Sequence, residues 1–483
     1  ALPIFTVADS ALMVVDAWLS IGHEGGVGTF TVQNNGKVWV LWDLNVTDVG
    51  LGEGTFNLKD NGTVTANNFF VGKGTGSTGV FNQTGGSAIG LSTGNEYHIG
   101  FHGPGTWNLS NGSILAPNHW FIVGRWADGP GTLNVTGGSI SHGTSDPGKL
   151  FRVGEDGTGV MTISGTGLVA TACNEVTLGW NATGNGTVNL DGGVFQARRI
   201  IGGSGYSMFN FNGGVLRAGP NANPNFMTAL SGATIFDGGA IIDTGTNWIA
   251  INQDLTGAGG LTKRGSGALG LNGYNSYVGP TIITEGGFGG NGTILGPVTV
   301  QAAAIFSPGT SVGAMTINNT LKLEGATLME IDKANGTNDQ VLGVTTITYG
   351  GTLVLTNIAG TLAVGDTFKL FGATTYQGSF SSIVSANPGV VWDTSKLAVD
   401  GTVKVLSAVS TTPVNLTYAV GSGGLTVGWP LDHTGWRLLA QTNPVAVGLS
   451  NNWAPVAGSE TTNQVTLPIN PANGSVFLRL VYP

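Results

Sequence analysis

Apolar and polar side chains alternate along this chain in short bursts, and the bursts recur. In GTLNVTGGSIS from Gly131, Leu133 and Val135 fall on one face of an extended segment, Thr132, Asn134 and Thr136 on the other. A Gly-Gly turn follows, then a second alternating segment carrying Ile140. A third segment ends in an apolar residue before glycine, as in HWFIVG and NEVTLG. The opening phrase returns from Gly28, Gly54, Gly79, Gly105, Gly131, Gly159 and Gly186, at steps of 26, 25, 26, 26, 28 and 27 residues, with a degenerate copy from Ser207. The apolar-Gly mark keeps pace with it, from Ile21-Gly22 to Ile201-Gly202. A fixed period of this size marks a solenoid or a propeller. Three short strands per period fit one triangular coil, whereas a propeller blade needs four strands and about 40–45 residues. The pattern therefore predicts an all-β fold, a parallel β-helix with about 26 residues per coil.

Stacked coils place equivalent residues above one another, about 4.8 Å apart. Phe30, Phe56, Phe81, Trp107, Leu133, Met161, Val188 and Phe209 then form an inward ladder. A neighbouring ladder runs through Val32, Leu58, Leu109, Val135, Ile163, Leu190 and Phe211, with Gln83 as its lapse. Asn57, Asn82, Asn108, Asn134, Asn189 and Asn210 form a ladder on the opposite face, with Thr31 and Thr162 as substitutes. Stacked amides hydrogen-bond along such a column, and the recurring glycines suit corners of positive φ.

From about Ile241 the pattern changes. GAGGLTKRGSGALGLNGYNSYVGPTIITEGG alternates with period two through Leu261, Lys263, Gly265, Gly267, Leu269, Leu271, Gly273, Asn275, Tyr277, Gly279 and Thr281. This stretch closely resembles the autotransporter-associated β-strand repeat of large exported bacterial proteins, over roughly 30 residues. Phe288 departs from the leucine usual there. The Ser307-Pro308-Gly309 turn, LKLEGATLMEID and DTFKLFGATTYQGSF are similar to flanking family material, and the N-terminal coils resemble those of exported proteins of Planctomycetes and Verrucomicrobia. The resemblance implies a right-handed helix outside the cytoplasm, and it carries no catalytic residues because the motif is structural. A translocator barrel, with a dozen or so further strands of ~10 residues, does not fit after Val405. The chain divides into a leader (1–10), regular coils (11–240), continued coils (241–406), a linker (407–413) and a β-sandwich (414–483). The sandwich has five clear strands and a weak sixth near Trp453.

Composition narrows the functional classes. Glycine supplies 83 of 483 residues and charged residues 9%, while 41% are apolar. That apolar share is enough for a large core, and disorder by polarity is excluded. A net charge of −9, with Arg198-Arg199 and Lys263-Arg264 as the adjacent basic pairs, speaks against nucleic-acid binding. No apolar run approaches the ~20 residues of a membrane-spanning helix. The start at Ala1-Leu2-Pro3 reads as a mature chain whose signal peptide has been cleaved, and so as extracellular or cell-surface. Cys173 alone excludes an intramolecular disulfide and reads as a small buried hydrophobe. Asn-x-Ser/Thr triplets at Asn45, Asn61, Asn82, Asn108, Asn111, Asn134, Asn181 and Asn185 follow from the composition more than from glycosylation.

Candidate chemistry is sparse. Glu24, Glu53, Asp128, Glu155 and Asp156 follow the apolar-Gly mark and read as solvated corners, with a weak Ca²⁺ site as the alternative. His98 and His102 lie one coil before His119, and ordinary surface histidines outweigh a metal pair. Trp107 belongs to the core. Trp120 and Trp126 are candidate glycan contacts at a coil edge, as are Trp39 and Trp42, with packing the competing role. No cofactor or metal is expected. The sequence points to a non-enzymatic exported structural protein, a rod acting as a filament subunit or a surface stalk. Head-to-tail self-association is expected, because contact between unlike ends gives open filaments. An adhesin or polysaccharide-binding protein is the alternative, and a polysaccharide lyase or hydrolase the weakest. The leader residues Ile4, Phe5, Thr6 and Val7 form either a strand donated to the sandwich of an adjacent copy or a strand capping the chain's own first coil.

Overall fold

A computed structural model of the chain describes residues 3–91, 96–117, 119–143, 150–410 and 412–482. Ala1 and Leu2 of the leader, Thr411 of the expected linker and Pro483 lie outside the described residues. Strands follow one another around a solenoid of about 15 coils. They join a single hydrogen-bonded stack of 41 strands. The repeat sets the register. Gly105, Trp107 and Asn108 pair with Gly131, Leu133 and Asn134, and Leu133 pairs in turn with Met161. Like therefore stands on like, as the period predicts.

The inward ladder begins one rung earlier than the phrase does. Strand Ile4–Val7 pairs in parallel with Thr29–Val32 of the same chain. This is the capping arrangement. Phe5, grouped with Val7 by the alternation, stacks on Phe30 at 5.1 Å. The column continues through Phe30–Phe56 at 5.4 Å, Phe56–Phe81 at 4.6 Å and Phe81–Trp107 at 4.0 Å. A second aromatic column that the repeat phrase did not reveal runs through Phe69, Tyr97, Phe121 and Phe151, with centroids 4.5, 5.5 and 4.7 Å apart. The amide ladder forms as expected. Asn82 donates to Asn57 at 3.2 Å, Asn108 to Asn82 at 3.0 Å, Asn134 to Asn108 at 2.9 Å and Asn210 to Asn189 at 2.8 Å. Thr31 and Thr162 accept from Asn57 and Asn189 as the substitutes.

Two kinds of glycine hold the corners. Gly124, in the apolar-Gly mark, has a φ of 78°, a conformation that L side chains rarely adopt. Gly131, opening the phrase, needs no special φ; a Cβ there would lie 2.0 Å from the Ile99 carbonyl oxygen of the coil below. One glycine turns the chain and the other lets two coils touch.

The period-two stretch does not run as one long strand. It winds through strands Leu261–Arg264, Ala268–Leu271 and Tyr274–Asn275 into Thr281–Gly290, so that Leu261 pairs with Thr281 one coil later. Lys263 consequently points inward. Its buried ammonium donates to the carbonyls of Gly265, Gly267 and Glu285 at 2.5, 2.5 and 2.8 Å.

The coil path ends before residue 406. Strands Thr367–Lys369, Val391–Asp393 and Thr402–Ser407 form a separate three-stranded sheet. Together with helix Leu397–Asp400 it brings Phe368, Leu370, Leu397, Val403 and Val405 into the core as a lid on the C-terminal end. Beyond it, the five expected strands and the weak sixth, Ala454–Pro455, form two three-stranded antiparallel sheets. Their core is small, centred on Val427, Trp429 and Leu438. No helix among the described residues is long and apolar enough to cross a membrane.

Candidate functional site

The third face of the coils carries the densest cluster of charged and aromatic groups. Its strands alternate in–out–in as Phe69-Phe70-Val71, Tyr97-His98-Ile99, Phe121-Ile122-Val123 and Phe151-Arg152-Val153. The outward residues Phe70, His98, Ile122 and Arg152 are nonetheless buried. The loops after each apolar-Gly mark fold back over them, bringing Phe101, His102, Arg125, Trp126, Glu155 and Trp180 on top.

Arg152 lies with its guanidinium 4.0 Å from the Trp180 ring and 5.1 Å from the Trp120 ring. It donates to Glu155 at 2.6 Å, and Arg125 pairs with the same carboxylate. Arg125 also sits 4.7 Å over the Trp126 ring, on which His102 stacks with a centroid separation of 5.6 Å. His102 in turn pairs with Asp128 at 3.0 Å. His98 is pressed between Phe70, stacked at 5.2 Å, and Phe101, edge-on at 4.9 Å, and bonds Glu96 at 2.5 Å. Burial lowers its pKa, although Glu96 works in the opposite direction. Burial likewise lowers that of Arg152, against the pull of Glu155.

This geometry revises three expectations. Glu155 is not a solvated corner but the buried centre of an Arg–Glu–Arg cluster, because its loop closes over Arg152. Glu24 and Glu53 are exposed as expected. His98 and His119 are buried rather than superficial, and His119 bonds the Asn67 carbonyl at 3.2 Å. Among the described residues, no three His, Cys, Asp or Glu side chains come together to hold a metal. Trp120 and Trp126 are half-buried rings, Trp120 covered by Arg152 and Trp126 by Arg125. A sugar would have to compete with that cover. Trp39 and Trp42 are exposed.

Cys173 is buried, as its neighbours predict, with Thr171 Oγ1 2.8 Å from its Sγ and the Glu175 carbonyl at 3.1 Å. Burial pushes its thiol pKa up, which removes the thiolate needed for reactivity.

One further concavity has no counterpart among the sequence expectations. A groove of about 250 Å³ lies over Gly270, Gly287 and Gly289, flanked by Trp248, Asn272 and Glu330. The run GGFGG was its only sequence signal, and glycine is too common here to single it out. Trp248 is exposed and offers an open indole face beside amide and carboxylate groups.

No family model matches the chain, and no curated protein matches it either. The fold is therefore that of a β-solenoid protein, assigned by its own geometry.

Proposed function

We propose that this chain is a non-enzymatic, exported structural protein, a stiff β-solenoid shaft that serves as the repeating subunit of an extracellular filament or as a surface stalk. The observation that carries the reading is the in-register stack from Ile4–Val7 to Ser382–Ser385, whose ladders tie each coil to the next. With about 15 coils at about 4.8 Å each, the shaft is on the order of 70 Å long. Bending it means opening backbone bonds and ring stacks on one side. The resemblance of the stretch around Leu261–Thr281 to the autotransporter-associated repeat supports export, and the lone cysteine creates no need for a disulfide framework. Self-association is the partner relation that turns such a shaft into a fibre.

Negative-stain electron microscopy of the native material tests this. Straight rods or filaments are the expected result. Globular particles, or release of unsaturated or reducing sugar from a polysaccharide, overturn it.

The groove at Trp248 favours a second reading, a surface that holds a neutral polysaccharide by an indole face and amide groups. Glycan-array binding lost on Trp248→Ala, with Trp120→Ala unchanged, is its signature.

A further inference from the structure

Large exposed hydrophobic side chains are not spread evenly along this rod. Eleven lie between Ile4 and Leu51; from 52 to 205 Leu115 is the only one among the described residues; fourteen are scattered over residues 206–406; nine more lie between Tyr418 and Tyr482. Contiguous apolar exposure on a folded protein marks a contact surface, and its density is highest in the first coils and next in the C-terminal sheets.

The two regions are built differently. Among the described residues, strands Ile4–Val7 and Leu12–Val15 of the first coil pair on one side only, with Thr29–Val32 and Lys37–Val40. Their other edges present unpaired backbone groups, and the Phe5 ring ends its ladder 52% exposed. The opposite end of the solenoid is closed by Phe368, Leu397 and Val403. In the C-terminal sheets, strand Thr417–Gly421 pairs only with Gly424–Gly428 among the described residues, and all five of its residues are exposed. An open edge exposed in this way is a template for another strand.

We propose that the open edge at Leu12–Val15 adds to the edge strand Thr417–Gly421 of a second copy, joining copies head to tail. The proposal rests on the structural-shaft reading and adds its joint. Side-chain parity supports it. Leu12 and Val14 point outward beside Trp39, and Tyr418 and Val420 share one face of their strand. Edge pairing with those faces aligned makes one continuous apolar stripe from Trp39 to Val420. Charge disfavours the pairing of two N-terminal ends. Residues 3–53 hold six acidic side chains against Lys37 alone, so two N-terminal ends repel. Residues 412–482 hold Asp432 and Glu460 against Arg437 and Arg479, and meet that acidic end without a matching penalty. The leader stays in its own coil throughout, so no strand is exchanged.

Sedimentation velocity and electron microscopy of the 483-residue chain at rising concentration test the joint. Rods in end-to-end series are expected, and Val14→Lys or Val420→Lys alone should leave only short species. An equimolar mixture of the two variants should give pairs of rods, because one intact joint can form. Monomers at every concentration overturn the proposal, and so do pairs that survive Val420→Lys but not Val14→Lys. If a lysine variant melts early, mixed Val14→Cys and Val420→Cys chains supply the readout: a covalent dimer on oxidation supports the joint, and its absence refutes it. A straight rod that never associates refutes the joint and leaves the shaft reading standing.

Discussion

Gln83 stands in the inward ladder between Leu58 and Leu109, where a hydrophobe is due. It is fully buried, yet its amide is used. It donates to the Gly86 and Ser113 carbonyls at 3.2 and 2.9 Å and accepts the Trp107 indole N–H at 3.3 Å. A tryptophan in the core needs such an acceptor, so the lapse and the bulkiest rung belong together. Glu155 shows the same logic with charge. Glu155→Gln leaves Arg152 buried with a weakened partner, a loss of about 3 kcal/mol. Thermal melts with tryptophan fluorescence measure it, and a change below about 1 kcal/mol would show that ring stacking alone holds the guanidinium. His142 carries a pH dependence. Its Nε2 donates to the His119 carbonyl at 2.8 Å, leaving Nδ1 to accept from Thr171 at 3.0 Å, and burial depresses its pKa to about 4. The unfolded chain binds the proton from about pH 6.5 downward and the folded chain does not. Stability is therefore complete above 6.5 and falls toward pH 4, by up to about 3 kcal/mol. Asp339 works the other way, its pKa raised to about 7 by burial, so wild-type stability mixes the two. The expected outcome is a difference: between pH 6.5 and 4 wild type loses stability relative to His142→Asn, measured by denaturant unfolding of both at each pH.

At the scale of the strand, the inward and outward ladders differ in worth. Leu133 is packed between Trp107 and Met161 with no exposure. Leu133→Ala empties that place and should cost about 2–5 kcal/mol. Asn134 is half-buried and its amide bonds Asn108 in the coil below. Asn134→Val should cost only about 1 kcal/mol, since the bonds replace others made with water. Denaturant unfolding of the two variants reports the order, and equal losses would show that the amide column matters as much as the core. Periodicity alone makes both ladders legible in the amino-acid order. It missed Phe5 because the leader lacks the glycine phrase, and it missed the Phe69–Phe151 column because that face carries little of the repeated wording. The outward burial of His98 and Arg152 was out of reach, because it depends on loops that fold back across coils.

For the whole molecule, a stack in which each coil touches its neighbours tolerates loss of a unit but not of part of one. Excision of residues 54–78 joins Glu53 directly to Gly79. Gly79 then takes the place of Gly54, its own partner in the intact stack, and Phe81 comes to rest on Phe30. That variant should fold, shorter by about 4.8 Å, with circular dichroism matching the parent. Removing half as many residues sets every strand beyond the cut against the wrong side of the coil before it, so the ladders no longer match, and no soluble rod is expected.

The amino-acid order by itself determined the period, the strands, which residues face inward and the six strands of the C-terminal sheets, because those follow from alternation and spacing along one chain. Only the tertiary structure decided that Glu155 is buried between two arginines, that Lys263 points into the core and that a sheet closes the C-terminal end of the shaft. Each of these depends on what residues far apart in the chain place against one another, and local pattern holds no record of that.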